Sequence, residues 1–326
     1  MTQVSIVVPI YNEVESVGPL CERLNEALVG LGRTYEVVLV DDGSRDGTWE
    51  RLKELAGQYP YLRLIRFRRN FGQTAAMAAG FQHASGDVIV TLDADLQNDP
   101  ADISMLLDKA DEGFDVVSGW RRDRKDTFIN RRLPSMLANG LISRITGVPL
   151  HDYGCTLKAY RNEVVSNIKL YGEMHRFIPA IASWVGAEVA EVVVTHHARQ
   201  FGQSKYGISR TFRVILDLMT VKFLLRYSSR PIQMFGKLGL WMGVPGLLIL
   251  LVSIASHIGY NLFDIQCLAG VVDMSKRPAW IITPFMLILF CTQFISMGLL
   301  AEIQIRTYHE AQDKPTYVIK ETVEPR

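Results

Sequence analysis

Two carboxylates and an amide stand at Asp93, Asp95 and Gln97, directly after the apolar run Val88-Ile89-Val90. Charge at the boundary of a buried strand is costly unless something pairs with it. In an extended chain residues i and i+2 point the same way, so Asp93 and Asp95 are expected to face one point. With the Gln97 amide they form an all-oxygen set, which suits Mg2+ or Mn2+ and not zinc. So few protein ligands leave room for water and for phosphate oxygens. That is the pattern of a metal that arrives with a nucleotide diphosphate and neutralises it as a leaving group. A lone D-x-D is a weak signal, and its place at a strand end gives it weight.

What must position these groups is an alternation of strands and helices. Strands are expected over 4–8, 36–40, 62–67, 87–92 and 115–118. Between them, Leu20, Leu24, Leu28 and Leu31 recur at helical spacing, as do Trp49, Leu52 and Leu55 behind a cap at Asp46 or Thr48. "GQTAAMAAGFQHA" and 103–110 supply two more helices. The fold class is therefore α/β, an open, mostly parallel sheet with helices on both faces. Ligands of such sheets bind beyond the carboxyl ends of the strands. The segments that follow the five strands are "PIYNE", "DDGS", "RRNFGQ", "DADLQ" and "GWRRDRK", so polar groups gather at one edge. Tyr11 suits stacking on a base and Glu13 a ribose hydroxyl. Asp42, or its neighbour Asp41, suits a base N–H or a ribose hydroxyl. Pro9, Asn12, Gln73, Asp93 and Ala94, in the same strand-end segments, complete the candidate nucleotide-binding set.

The net charge of +1 offers no field for nucleic acid. Cys21, Cys155, Cys267 and Cys291 are scattered, so neither disulfides nor a zinc site is expected, and a reducing compartment fits. The amino-terminal residues carry no signal-peptide pattern. Two runs without a charged residue, Leu238 to Ile258 and Ile281 to Ala301, are each long enough to cross a bilayer, with Trp241 and Trp280 near their ends. Arg226, Arg230 and Lys237 precede the first, and Arg306 and Lys314 follow the second. Lys276 and Arg277 between them are offset by Asp264 and Asp273. The basic excess puts both chain ends, and with them the amino-terminal domain, in the cytoplasm, and a multi-pass protein of the inner (plasma) membrane is the expectation. Phe212, Leu216, Met219 and Phe223 interleave with Arg210, Arg213, Lys222 and Arg226, the pattern of an interfacial amphipathic helix. The expected division is a catalytic domain over 1–208, juxtamembrane helices over 209–230, two spans over 231–306 and a tail over 307–326.

"SIVVPIYNE", "VVLVDDGSRDGT", "RNFGQTAAMAAGF" and "VTLDADLQNDP" resemble, in order, the successive blocks of family 2 glycosyltransferases. They resemble most closely the polyprenyl-phosphate glycosyltransferases, such as the bactoprenol glucosyltransferases and dolichyl-phosphate mannose synthases. The resemblance covers about the first 210 residues. It implies a nucleotide-sugar-binding fold of the GT-A type, a divalent metal on Asp93, Asp95 and Gln97, and inverting transfer to a polyprenyl phosphate. A phosphate monoester carries about −1.5 to −2 charge at pH 7 and is already a nucleophile, so the site chiefly needs cations. Arg121 and Arg131, together with Arg199, Ser204 and Lys205 of the block "RQFGQSKY", are the acceptor-phosphate candidates. Asp152 is expected to orient a sugar hydroxyl or assist the acceptor. Asp95, Asp152 and Arg121 are then the catalytic set. Arg122, Arg124 and Lys125 read as a solvated or headgroup-facing stretch. The expected substrates are UDP-glucose and undecaprenyl phosphate, with GDP-mannose and a modified pentose as open alternatives. A homo-oligomer is implied by resemblance alone. Three rivals stand beside this reading: a processive polysaccharide synthase, which by family analogy would have more spans and a Q-x-x-R-W block; a membrane-anchored nucleotide-sugar sensor, against which the intact D-x-D-x-Q argues; and a channel or scaffold component, for which two short spans would serve only in an oligomer. His196 and His197, adjacent in an extended chain, face opposite sides and read as structural. Neither a G-x-G-x-x-G nor a Walker motif is present.

Overall fold

The structure is a computed structural model that describes residues 2–122, 133–166, 168, 170, 174–184, 186–198, 223, 227, 231–263 and 278–311. The chain divides into two compact units, Met1–Lys222 and Phe223–Arg326. The expected juxtamembrane stretch lies outside the described residues apart from Phe223 and Tyr227.

The first unit opens with β1 (Val4–Ile10), α1 (Val17–Val29), β2 (Tyr35–Asp41), α2 (Thr48–Ala56) and β3 (Leu62–Arg66). It continues with α3 (Gln73–His83), β4 (Val88–Thr91), α4 (Ile103–Asp111) and β5 (Val116–Trp120). Then come α5 (Leu133–Thr146), β6 (Lys158–Arg161), α6 (Asn162–Ser166), α7 (Ile178–Trp184) and β7 (Val189–Val193). The strands form one sheet in the order β3-β2-β1-β4-β6-β5-β7. β1 runs parallel to β2 and to β4, β2 parallel to β3, and β5 parallel to β7. The chain therefore builds outward from β1 through β3 and returns to place β4 on the other side. That reversal opens a crevice at the carboxyl ends of β1 and β4.

β6 departs from the parallel pattern, pairing antiparallel with both β4 and β5. Because it runs the other way, the loop before it (151–157) emerges at the edge where β4 and β5 end. One reversed strand thus adds a loop from far along the sequence to the ligand edge.

The central strands are buried on both faces, which is why they read as continuous apolar runs. Val4, Ile6, Val8 and Ile10 join Val37, Leu39 and Val90 in a cluster that includes Leu20, Leu24 and Leu28 of α1, Leu52 of α2 and Leu106 of α4. Val7, Val38, Val40 and Ile89 face the opposite cluster with Ala76, Met77 and Phe81 of α3 and Ile178 of α7. Each fully buried leucine contributes about 1.5–3 kcal/mol relative to exposure.

The second unit holds α8 (Pro231–Phe263) and α9 (Ala279–Ala311). Each contains a stretch long and apolar enough to cross a membrane, Pro231–Asn261 and Ala279–Gln304. Both enclose the runs expected from sequence. Their apolar residues are exposed all round, with Leu240, Leu247, Leu251, Phe285, Leu289 and Leu300 each open to the surroundings. A helix apolar on every side belongs in a protein core or a bilayer, and these are not in a core. The pair packs closely through small residues. A Cβ placed on Gly243 would stand 2.6 Å from Cys291 Sγ, so only glycine permits this approach.

Candidate active site

A cavity of about 200 Å3 lies at the carboxyl ends of β1, β2 and β4 and is lined by Pro9, Tyr11, Glu13, Asp42, Gln73, Asp93, Ala94 and Asp95 among others. Eight residues singled out from sequence thus meet in one place. Asn12, Asp41 and Gln97 are not among its lining residues.

The strand ends explain how each side chain arrives. After β1 the chain turns through Asn12, whose φ of 53° is left-handed, a region asparagine tolerates. The Asn12 N–H donates to Ser44 Oγ at 2.8 Å, and its Oδ1 accepts from Arg45 N at 3.0 Å. Asn12 therefore fastens the β1 turn to the β2 turn, leaving Tyr11 and Glu13 on either side of it at the cavity. At the end of β2, Asp41 is wholly buried. It accepts from Ser44 N at 3.0 Å and lies 3.4 Å from Arg66 Nε, an internal tie rather than a cavity wall. Asp42 points to the loop before α3 and accepts from Phe71 N at 2.7 Å and Gly72 N at 2.9 Å. Desolvation raises its pKa against the pull of those two N–H groups. Gly43 between these turns has φ 72°, and a Cβ there would lie 2.5 Å from the Arg69 carbonyl carbon, so the approach of this loop requires glycine.

The acidic motif differs in shape from its expectation. β4 ends at Thr91, and residues 94–96 turn, with Leu96 at φ 60°. The motif is bent, so period-two alternation is not what directs both carboxylates to the cavity. The turn is closed by Gln97 N donating to Asp95 Oδ1 at 3.1 Å. A left-handed leucine costs about 1–2 kcal/mol, set here against complete burial of its side chain. Asp93 Oδ1 accepts from Gln73 Nε2 at 2.8 Å, joining the start of α3 to the motif. Desolvation first, and the Asp95 carboxylate second, push the Asp93 carboxyl up to about 6. Gln97 instead carries backbone ties, its carbonyl accepting from His197 N at 2.8 Å. His196 is buried in a bridge with Asn98, and His197 Nε2 lies 2.9 Å from Asp99, so both sit in the frame beside the motif.

Arg121 and Asp152, chosen from sequence for separate tasks, are partners. Arg121 Nε donates to Asp152 Oδ2 at 2.8 Å and Nη2 to Oδ1 at 3.1 Å, a two-pronged pair. Asp152 is 2% exposed. Its backbone N–H donates to Glu191 Oε1 at 3.1 Å, and Gly154 N returns to its Oδ1 at 3.1 Å. Glu191 also takes the His151 ring at 2.7 Å, and that ring stacks on Trp120 at 4.2 Å between centroids. The 151–157 loop is tied to β4 as well, since Thr91 Oγ1 donates to the Thr156 carbonyl at 2.6 Å, and to the segment just past the acidic motif, since Asn98 Nδ2 donates to the Thr156 hydroxyl at 3.0 Å. Arg131, Arg199, Ser204 and Lys205 lie outside the described residues. Sequence reasoning missed Glu191, Thr156 and Lys158. Glu191 is the one sequence clue, a charge interrupting the apolar strand "VAEVV".

Residues 5–169 match the family model described as glycosyl transferase family 2, half of the chain. The chain belongs to glycosyl transferase family 2. It is similar along nearly its whole length to two other proteins. Dodecaprenyl-phosphate galacturonate synthase of Rhizobium johnstonii is 47% identical over 323 residues, covering 98% of this chain and 92% of that protein. Undecaprenyl-phosphate 4-deoxy-4-formamido-L-arabinose transferase of Edwardsiella ictaluri is 38% identical over 328 residues, covering 98% and 94%. Among solved structures, glucosyl-3-phosphoglycerate synthase of Mycobacterium tuberculosis with Mn2+, UDP and product superposes with a TM-score of 0.55 at 17% identity. That match covers 69% of this chain and 80% of the other. Mannosyl-3-phosphoglycerate synthase of Rubrobacter xylanophilus gives 0.56 at 17% identity, over 68% and 74%. At such identities they show the fold alone, which is GT-A. This family 2 chain is therefore an α/β GT-A glycosyltransferase with two apolar helices long enough to span a membrane.

Proposed function

We propose that the chain transfers one sugar from a nucleotide diphosphate sugar to the phosphate of a polyprenyl phosphate at the membrane surface. One observation carries this. Tyr11, Glu13, Asp42, Gln73, Asp93 and Asp95 converge on one cavity in a chain that follows, over 98% of its length, two relatives named for polyprenyl-phosphate substrates. Glucose, the expectation from sequence, gives way, because neither relative is named for it. The 47% identical relative is named for galacturonate, and a hexuronate carried by UDP is the donor we place first. The formamido-arabinose of the second relative is the competing donor.

Asp93 and Asp95 fit a hard divalent cation. They are oxygen donors, half-buried at one cavity wall, and the Asp95 carboxylate burdens Asp93 with like charge. Bound there, Mg2+ or Mn2+ would neutralise the diphosphate leaving group. Gln97 supports Asp95 through its backbone rather than from the cavity wall. Tyr11 offers a face for the base, Glu13 an acceptor for ribose, and Asp42 holds the 71–72 backbone as the wall between them. The amino end of α3 opens into the cavity through Gly72 and Gln73, where N–H dipoles favour an anion. Arg121 spends two N–H groups on Asp152 and keeps the rest of its five donors for the acceptor phosphate. Arg131, Arg199, Ser204 and Lys205 stay as proposed further donors. The acceptor phosphate attacks as the nucleophile with inversion, and the basic flanks of the spans favour an orientation with both termini on the cytoplasmic side.

The test is transfer by the purified full-length protein to undecaprenyl phosphate, with Mg2+ or Mn2+, across UDP-galacturonate, UDP-formamido-arabinose, UDP-glucose and GDP-mannose. A chelator-sensitive glycolipid from UDP-galacturonate is expected. No product from any donor, with nucleotide still bound, would move the site from catalysis to sensing.

A further inference from the structure

We propose that Lys158 is a positioning residue whose buried ammonium gathers the carbonyls of the 151–157 loop, so that Asp152 presents Arg121 at the catalytic edge. The inference rests on reading that edge as a glycosyl-transfer site.

Lys158 opens the reversed strand β6 and is 2% exposed. Its Nζ donates to the Tyr153 carbonyl at 3.2 Å and to the Cys155 carbonyl. Among the described residues it forms no ion pair with a carboxylate. A buried ammonium with no carboxylate in contact is costly, and burial lowers its pKa against the pull of the nearby Asp152 and Asp93. A methionine would fill a similar volume with no such cost, but would leave two buried carbonyls unpaired. The lysine therefore serves the loop.

The two carbonyls are well placed for this. Tyr153 directly follows Asp152, and Cys155 directly follows Gly154, whose N–H donates to Asp152 Oδ1. Fixing both carbonyls fixes the peptide that holds the Asp152 carboxylate. That carboxylate then takes the Arg121 guanidinium in its two-pronged grip. One residue further on, Thr156 is held by Thr91 of β4 and by Asn98, just past the acidic motif. Lys158 sits where the arms of the loop toward Arg121 and toward the acidic motif diverge. Glu191 holds the far side through the His151 and Asp152 N–H groups. Lys158 hydrogen-bonds none of the cavity-lining residues, so its grip on the site runs through the loop, while its charge also pulls the pKa of Asp93 down from nearby.

The test uses the full-length protein with Lys158→Met, Lys158→Gln and Lys158→Arg. Hydrogen exchange is followed over 119–122 and 151–157, and donor and acceptor kinetics are measured alongside. Lys158→Met should speed exchange in both segments. It should lower kcat by about 10²-fold, the effect of a misplaced charged group, with the donor KM little changed. Lys158→Arg, which keeps the charge and the donors, should restore both. If Lys158→Met does not fold, Lys158→Gln carries the same comparison, with an intermediate loss expected. Unchanged exchange in the loop would overturn the proposal, as would a defect confined to donor KM or a failure of arginine to rescue. Absence of product from the wild-type protein would instead sink the transferase reading, and the exchange comparison would still decide the role of Lys158.

Discussion

Cutting Asp152 to alanine should separate what the Arg121 pair does for stability from what it does for turnover. The substitution removes the acceptors of Arg121 Nε and Nη2, at 2.8 and 3.1 Å, and of Gly154 N. The Arg121 side chain is only 16% exposed and that of Asp152 3%, so little water reaches the vacated side. Breaking a buried pair from one end costs about 3–5 kcal/mol, and the partial exposure of Arg121 puts the loss near the lower limit, about 3 kcal/mol. In a unit of this size each kcal/mol shifts Tm by about 2–4 °C, so a drop of about 6–12 °C is expected. Asp152→Ala combined with Arg121→Met removes both charges, and melting should return to within a few degrees of the wild type. Turnover should not return, because the guanidinium offered to the acceptor is gone. The assay is thermal unfolding of the solubilised full-length protein at pH 7 beside sugar transfer to polyprenyl phosphate. Wild-type melting for Asp152→Ala, or recovered turnover in the double variant, would refute the reasoning.

Asp95→Ala should lower transfer by about 10³-fold or more while the protein stays folded, and an unchanged rate would remove the acidic motif from the mechanism. His175 is buried, with its Nδ1 2.7 Å from Thr74 Oγ1, and burial pushes it down to about 3. The unfolded chain takes up that proton near pH 6.5 and the folded chain only near 3, so stability falls as pH drops through this window. Between pH 6.5 and 4 the wild type should lose up to about 3 kcal/mol more than His175→Gln, and parallel melting curves would contradict the assignment. Gly243→Leu should prise α8 from α9, read as faster proteolysis of the helical pair or loss of extractable protein. Wild-type behaviour would mean that the helices do not need this approach.

The first five strands were legible because each is an apolar run closed by a turn segment, and all five were found with ends shifted by one or two residues. β6 was not. It is four residues long, begins with a lysine and ends with an arginine, and nothing local marks a strand that runs backwards. Its place depends on β4 and β5 needing a partner between them, which is a tertiary fact. β7 was hidden in the same mixed region for the same reason. At the site, the convergence of strand ends was readable, since it follows from topology. The mechanism assigned to the acidic motif was not, because alternation along an extended chain cannot anticipate a left-handed Leu96. Asp41 and Asp42 are neighbours of equal chemistry, and only packing distinguishes the internal tie from the cavity wall. That Arg121 and Asp152 pair with each other required the reversed strand to bring residue 152 beside the end of β5.

The reversed strand also sets a timetable. β4 and β5 have no shared partner until β6 has been synthesised, and β5 has none on its other side until β7 follows. Contacts of such long sequence separation form late. The Arg121 pair can form once β6 joins β5, and the sheet can close only after β7, ending at residue 193, has been made. The first apolar helix begins at Pro231, a few seconds later at about 5–20 residues per second. That interval lets the soluble sheet settle before insertion draws the nascent chain to the bilayer, and a pause or rare codon placed within it would trade folding time against delivery to the membrane.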